Sequence, residues 1–311
     1  MKTNLAAVFA VVLLCVGCGP QDALIDDPGS DDASVAQALV AGLRGRAQAL
    51  DVAQWNVMWL GNTHFGPTDE ADQLARVSAV IRSGNVDLWA LQEVSSQAAF
   101  DGLVAQVPGY SGLAATDPRV VDGTRYYSSE EQRPALLFKT RAVTVNSARL
   151  VLTEAAQTFA GRPPLEAQLS IHINRKNLDL TVIVLHLKAG PGLDDRARRA
   201  QASVLLAQHV ATLSGPVMVL GDWNDATLSS ITPGQPSPFS NWHSPMTWLT
   251  QPLEAQGLSS SVFGSFIDHA LVTPQLKSRH SGTSVFDLRP VLPDYRKNTS
   301  DHFPVLHFFT L

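Results

Sequence analysis

Cysteine is nearly absent from this 311-residue chain: Cys15 and Cys18 are the two present, and both stand close to the start. Beyond Cys18 no disulfide can form. A disulfide-stapled scaffold is thereby excluded, and stability must come from burying a core, which a chain of this length can do. Long apolar runs are scarce as well. The most extended, Leu5 to Val16, falls short of the roughly 20 residues a helix needs to cross a bilayer. Runs of Lys and Arg are missing, and the formal charge is −5. A broad basic stripe for sequence-independent nucleic-acid binding is therefore not advertised, although a local groove and a metal ion would serve a nuclease without one. The composition, 45% hydrophobic and 16% charged, is that of a globular protein.

The first residues read as a processing signal. Lys2 supplies a positive n-region, and the apolar run has h-region length. It ends in Leu13-Leu14-Cys15-Val16-Gly17-Cys18, which resembles a bacterial lipobox with Cys18 as the lipidated residue. Cys15 stands where an apolar residue is usual, so an ordinary cleaved signal peptide is the alternative. The expectation is a signal peptide over 1–18, an acidic tether over 19–49 and one catalytic domain over 50–311. The protein would be exported and membrane-anchored through Cys18, in the periplasm or on the outer surface, or else secreted. The tether is rich in Asp, Gly, Ala, Gln and Ser, and Ala33 to Leu43 within it suits a short helix.

From Leu50 onward, short apolar runs alternate with helical stretches, an α/β signature. Strands are expected over Asp51–Trp59, Asp87–Gln92, Ala135–Lys139, Leu165–Ile173, Leu178–Leu187, Val217–Leu220, Ile267–Val272 and Val305–Phe309. Helices are expected over Asp69–Arg82, with Thr68 as N-cap, over Ser96–Gln106 and from about Asp194 to Leu213. Proline-rich Asp225 to Leu253 reads as a loop or insertion.

The polar residues stand in a pattern. Apolar runs lead in turn to Asn56, to Gln92-Glu93, to His186, to Gly221-Asp222-Trp223-Asn224 and to Asp268-His269, and Ser300-Asp301-His302 precedes the last strand. A polar group at the end of an apolar approach costs stability unless it is paired or bound. Repetition of that break, almost wholly in metal-ligand and acid/base residue types, points to strands converging on one site. Singly, each has a plain explanation. Asn56 suits a turn cap, Glu93 a helix cap, Asp222 and Asn224 a β-turn, and His186 a hydrogen-bonded core position.

Together, Trp55-Asn56-Val57, Leu91-Gln92-Glu93, His186-Leu187-Lys188, Gly221-Asp222-Trp223-Asn224, Ile267-Asp268-His269 and Ser300-Asp301-His302 resemble, in order, the motifs of the endonuclease/exonuclease/phosphatase (DNase-I-like) superfamily. The resemblance covers about Leu50 to Leu311. It implies a four-layer α/β/β/α sandwich of two mixed β-sheets and hydrolysis of a phosphoester with a divalent cation. Mg²⁺ favours hard oxygen donors, with Mn²⁺ or Ca²⁺ as substitutes. Glu93 is the foremost metal ligand, with Asn56 adding an amide oxygen and Asp301 a further carboxylate. His302 suits a general base or a stabiliser of phosphate charge, and by resemblance Asp268 orients it. Asp222 would align or deprotonate water, Asn224 would bind the phosphate, and His186 would bind a phosphoryl oxygen or protonate the leaving group.

Strand alternation turns His269 away from Asp268, so it reads as structural; His64, His172, His209, His243, His280 and His307 default to structure or surface. Arg199, after the Lys188–Gly192 loop, suits either a substrate contact or a brace. Gln132 stands where some nucleases of the family place a carboxylate, a departure that bears on any His186–carboxylate pairing. The fold does not choose the substrate. A nuclease ranks first, a phospholipid, sphingomyelin or small-phosphoester hydrolase second, and a catalytically silent surface-binding lipoprotein is the alternative of another class. No obligate protein partner is evident.

Overall fold

The computed structural model describes residues 49–128, 131–240, 242 and 245–311; the leader, Cys18, nearly all of the acidic tether with its expected helix, and His243 lie outside the described residues. The strands are β1 (Ala49–Leu60), β2 (Leu88–Val94), β3 (Tyr110–Ala114), β4 (Val120–Val121), β5 (Arg133–Lys139), β6 (Val143–Leu150), β7 (Leu165–Ile173), β8 (Lys176–His186), β9 (Val217–Asp222), β10 (Thr247–Trp248), β11 (Asp268–Val272), β12 (His280–Val285) and β13 (Val305–Thr310). The helices are α1 (Glu70–Gly84), α2 (Gln97–Gln106), α3 (Gly123–Tyr126), α4 (Leu193–Val210), α5 (Gln251–Ala255), α6 (Pro274–Lys277) and α7 (Tyr295–Asn298).

Two mixed sheets result. One has the order β12-β13-β1-β2-β5-β3, the other β10-β11-β9-β8-β7-β6-β4. Within them β1 and β2 run parallel, as do β8 and β9, with antiparallel partners on either side. Period-two alternation divides each central strand between two cores. Val52, Leu88 and Leu136 of the first sheet meet Leu169, Val182 and Leu220 of the second. The opposite faces pack on helices: Trp55 and Trp89 against Val77 and Ile81 of α1, and Ile183 and Val219 against Ala202 and Leu206 of α4. Buried on both faces, these strands read as nearly continuous apolar runs. The four layers follow.

The structure corrects several boundaries. Asp69, not Thr68, caps α1, its Oδ1 accepting from the Asp72 N–H at 2.9 Å. The helix expected to end at Leu213 stops at Val210. Segment 225–253 is not wholly a loop, because β10 pairs with β11 inside it and α5 begins at Gln251. Strands β3, β4, β6 and β12 escaped the sequence reading. β6 alternates buried and exposed positions under a polar sequence, and β12, His-Ser-Gly-Thr-Ser-Val, lies at a sheet edge with little apolar content.

Candidate active site

The parallel strands place their carboxyl ends together. In the second sheet His186 ends β8 directly opposite Asp222 at the end of β9, and Asp222 is in turn opposite Asp268 at the start of β11. Gly221 makes this close approach possible. Its φ is +140°, and a Cβ there would lie 2.1 Å from the Leu185 carbonyl oxygen. Its N–H is donated across the layers to Gln54 Oε1 at 2.9 Å, tying β9 to β1.

In the first sheet the backbone breaks regularity to aim the ligands. Register shifts flank both Asn56 in β1 and Glu93 in β2. Glu93 has φ +62°, and Met58 and Trp59 have φ +48° and +56°. Left-handed conformations outside glycine cost of order 1–3 kcal/mol each and gather at functional sites. Glu93 is then held by two donors: Asn56 Nδ2 to Oε1 at 2.9 Å and the Trp59 N–H to Oε2 at 3.1 Å. The same Asn56 nitrogen reaches Asp222 Oδ2 at 3.1 Å, bridging the two carboxylates, while its oxygen accepts from the Met58 N–H. The amide thus turns its nitrogen, not the expected oxygen, toward the carboxylates.

A second unit stands beside the first. His302 Nδ1 lies 2.8 Å from Asp268 Oδ2, and Ser260 Oγ donates to the same oxygen at 2.7 Å. With Nδ1 so engaged, His302 Nε2 faces Asp222 Oδ2 at 3.7 Å and Asp301 Oδ1 at 3.8 Å. The His302 carbonyl is anchored by the Trp55 indole N–H and the Tyr295 hydroxyl, and Ser300 Oγ donates to the Asn56 carbonyl. Asp301 is more open, with about a fifth of its side chain accessible (22%). Asn224, at φ +53°, donates its own N–H to Asp222 Oδ1 and its amide to the Leu187 carbonyl.

Electrostatics separates the two imidazoles. Burial opposes charge on His302, but the carboxylates of Asp268 and Asp222 outweigh it and hold the ring well above its ordinary range. Burial holds His186 well below, with the Arg162 and His302 charges adding to the effect. Burial also raises Glu93, against the Asn56 hydrogen bond and the His302 charge. It pushes Asp222 up to about 7, partly offset by His302 and reinforced by Asp268. The site therefore pairs a cationic and a neutral imidazole with carboxylates reluctant to ionise.

Those strained carboxylates fit a divalent cation. Glu93, His186 and Asp222 each offer a donor atom within 4.8 Å of the others. His186 Nε2 lies 3.5 Å from Asp222 Oδ2 and 3.8 Å from Glu93 Oε1. A second triplet, Asp222, Asp268 and His302, meets the same distance, but its Asp268–His302 atoms are already committed to each other. Oxygen donors on two buried carboxylates, with no Lys or Arg side chain among their hydrogen-bond partners in the described residues, suit Mg²⁺.

Arg162 went unnoticed in the sequence. It follows Gly161 in the turn before β7, and its guanidinium donates to the carbonyls of His186, at 3.2 Å, and Leu187, at 2.6 Å, and also to Gln132 Oε1. An arginine before Pro163-Pro164, leading into the strand that pairs with β8, was the available signal. Gln132 therefore serves Arg162, and His186 Nδ1 is buried with no hydrogen-bond partner among the described residues. Arg199 is a brace. Fully buried, it forks onto Asp225 at 2.8 and 2.9 Å and donates to the carbonyls of Lys188 and Gly190. His269 faces away from the cleft as expected, between Thr250 Oγ1 and the Asp225 carbonyl. His209 meets Glu166 and His307 meets Thr283, both away from the cleft.

Residues 53–302 match the Endonuclease/Exonuclease/phosphatase family. No curated protein matches the chain. Among solved structures, a humanized form of TDP2 from D. rerio aligns at a TM-score of 0.64 and 14% identity over 85% of this chain and 100% of its own. D. rerio TDP2 complexed with single strand DNA product aligns at 0.62 and 13%, covering 85% and 99%. The 3′ phosphatase NExo (D146N) from Neisseria, bound to product DNA hairpin, aligns at 0.59 and 16%, covering 84% and 100%. At these identities the likeness establishes the fold.

Proposed function

This chain belongs to the Endonuclease/Exonuclease/phosphatase family, and from that premise we propose that it is a divalent-metal-dependent nuclease acting outside the cytoplasm. Family and site together make it a phosphoester-hydrolysing enzyme; nucleic acid as substrate, the metal requirement and the location are the parts proposed. One observation carries the chemistry: the Asn56-bridged Glu93–Asp222 pair and the Asp268–His302 pair meet in a single buried cluster. DNA products bound to two of the similar structures favour a nucleic-acid substrate.

Glu93 and Asp222, with His186 beside them, would hold Mg²⁺; Asp301 stands nearby. When bound, the cation supplies polarisation of a phosphoryl oxygen and neutralisation of the leaving oxyanion. The chain supplies the rest. His302, held cationic by Asp268, donates from Nε2 to a phosphoryl oxygen and stabilises charge that grows in the transition state. Asp222, oriented by the Asn224 N–H on Oδ1, accepts a proton from the attacking water as the new P–O bond forms and the scissile P–O bond breaks. Asn56 fixes the separation of the carboxylates, and Arg162 fixes the strand end that presents His186. His302 thus reads as charge stabiliser and Asp222 as base.

The test is a substrate panel with Mg²⁺, Mn²⁺, Ca²⁺ or excess EDTA: plasmid DNA, RNA, sphingomyelin and a chromogenic phosphodiester. Cleavage of nucleic acid that EDTA abolishes is expected. Turnover persisting in EDTA would reject the metal requirement, and turnover of sphingomyelin alone would reject the nuclease. We propose further that Cys18 carries lipid. Labelling with a fatty-acid probe that Cys18→Ala abolishes is the expected result, and unchanged membrane fractionation of that variant would reject it.

A further inference from the structure

A cleft of about 640 Å³ opens beside the site, with Met58, Gly66 and Thr68 on one bank and Arg289, Arg296 and Lys297 on the other. Its walls continue the catalytic residues. Met58 follows Asn56 by two positions and donates its N–H to the Asn56 side chain, and Trp59 donates to Glu93. On the far bank, Tyr295 donates to the His302 carbonyl.

Two exposed aromatics adjoin the residues that line the cleft: Phe65 precedes Gly66, and Phe263 lies against Arg296. Phe65 is 58% exposed, yet its ring meets that of Trp59 at 4.8 Å between centroids, the two planes tilted by 32°. The loop folds back to make this pair only because Gly66 has φ +82°; a Cβ there would lie 2.7 Å from the Met58 carbonyl oxygen. Phe263 on the other side is 61% exposed, with the Arg296 guanidinium 4.8 Å above its ring. It adjoins Val262, whose N–H is donated to the Asp301 carbonyl. Large exposed aromatics next to a catalytic cleft mark contact surfaces. The cations bring charge of the sign a phosphate chain seeks. Asp287 neutralises Arg289 and Asp294 also lines the cleft, so Arg296 and Lys297 supply the balance.

We propose that this cleft binds the single-stranded flank of a nucleic-acid substrate, with an unstacked base on the Trp59–Phe65 face and backbone phosphates on Arg296 and Lys297. It rests on the phosphodiesterase function above and specifies the substrate that function takes. Bases of any identity stack on such a platform, and the phosphates add salt-dependent attraction. A duplex keeps its bases paired and offers the platform nothing except at a frayed end.

The experiment compares wild type with Phe65→Ala and with the double variant Arg296→Glu/Lys297→Glu, none of which touches the catalytic cluster. Two readouts are taken: kinetics on single-stranded oligothymidylate and on bis-p-nitrophenyl phosphate, and binding in EDTA, by anisotropy of a fluorescein-labelled oligothymidylate across a salt series and of a labelled blunt duplex, and by co-sedimentation with sphingomyelin vesicles. Each variant should raise KM for the oligonucleotide and weaken its binding about tenfold or more, with bis-p-nitrophenyl phosphate turnover within twofold of wild type. The double variant should also flatten the salt dependence by about one phosphate contact or more. Equal losses on both substrates, unchanged oligonucleotide binding, or blunt duplex binding as tightly as single strand would each overturn the proposal. So would loss of sphingomyelin-vesicle binding with oligonucleotide binding intact. If wild type cleaves neither substrate, the nuclease function fails while the binding series still decides whether the cleft holds single strands.

Discussion

Asp268 and His302, 34 positions apart in the chain and both buried, meet through Oδ2 and Nδ1 at 2.8 Å, and that one contact fixes which nitrogen of the ring faces the cleft. Removing the charge while keeping the shape tests it. Asp268→Asn should fold normally and lose roughly 10³–10⁴-fold in kcat, the scale seen when an orienting carboxylate is replaced in a comparable triad. The carboxylate also holds His302 above its ordinary range. Activity depends on the protonated ring, so the alkaline limb of the kcat/KM profile should move to lower pH in the variant. An unmoved limb would remove His302 from its role.

Asp222 should destabilise the fold it serves. An unfolded aspartate releases its proton near 3.8, and this one holds it to about 7 because burial disfavours the charge. Between those values the folded state binds more protons. Its contribution to stability therefore falls as pH rises through the window, with a ceiling on the order of 4 kcal/mol above it. Asp222→Asn should melt at a higher temperature than wild type in EDTA, by a margin that grows from pH 5 to pH 8. Mg²⁺ should narrow that margin by stabilising wild type alone. Thermal melts at both pH values, with and without Mg²⁺, decide the matter; a margin independent of pH would contradict it.

Acid should unfold the protein through imidazoles that take no part in catalysis. Burial lowers His269 and His307 to about 3, against 6.5 when free. The unfolded chain then binds the extra protons, so stability is complete above pH 6.5 and falls as pH drops toward 3. The loss is about 2 kcal/mol per ring by pH 5. Urea midpoints should decline across that interval, and His307→Gln should flatten the decline whatever its effect at neutral pH. A midpoint indifferent to pH would exclude this account.

Arg199 and Asp225 form a fully buried pair that knits the loop after β8 to the loop after β9. Arg199→Ala leaves a buried carboxylate without its partner, at a cost of about 3–5 kcal/mol. Chemical denaturation should register that loss, and a loss below 1 kcal/mol would show the pair to be dispensable.

The convergence of Asn56, Glu93, His186, Asp222, Asp268 and His302 was legible because each interrupts or directly precedes an apolar run, and apolar runs of strand length stop where strands end. What those side chains do when they arrive was less legible. The Asn56 amide presents nitrogen to two carboxylates because the Met58 N–H claims its oxygen, a consequence of left-handed turns that no periodicity announces. Arg162 was hard to read because two of its partners are carbonyls 24 and 25 positions away, and backbone acceptors leave no trace in side-chain pattern; its place before Pro163-Pro164 was the one signal. His269 was legible for the opposite reason. Strand alternation alone decides its face, and the Thr250 and Asp225 partners sit where alternation puts it. The polar edge strand β12 had no apolar signal to read, since its pairing to β13 supplies hydrogen bonds rather than buried surface.

Glu93 belongs to one sheet and Asp222 to the other, with Asn56 and the Gln54–Gly221 hydrogen bond spanning the seam. Whatever loosens the grip of one layer on the other will part the two carboxylates while each layer is still intact. Heating should thus silence the enzyme some degrees before circular dichroism records any loss of strand, and cooling should restore it.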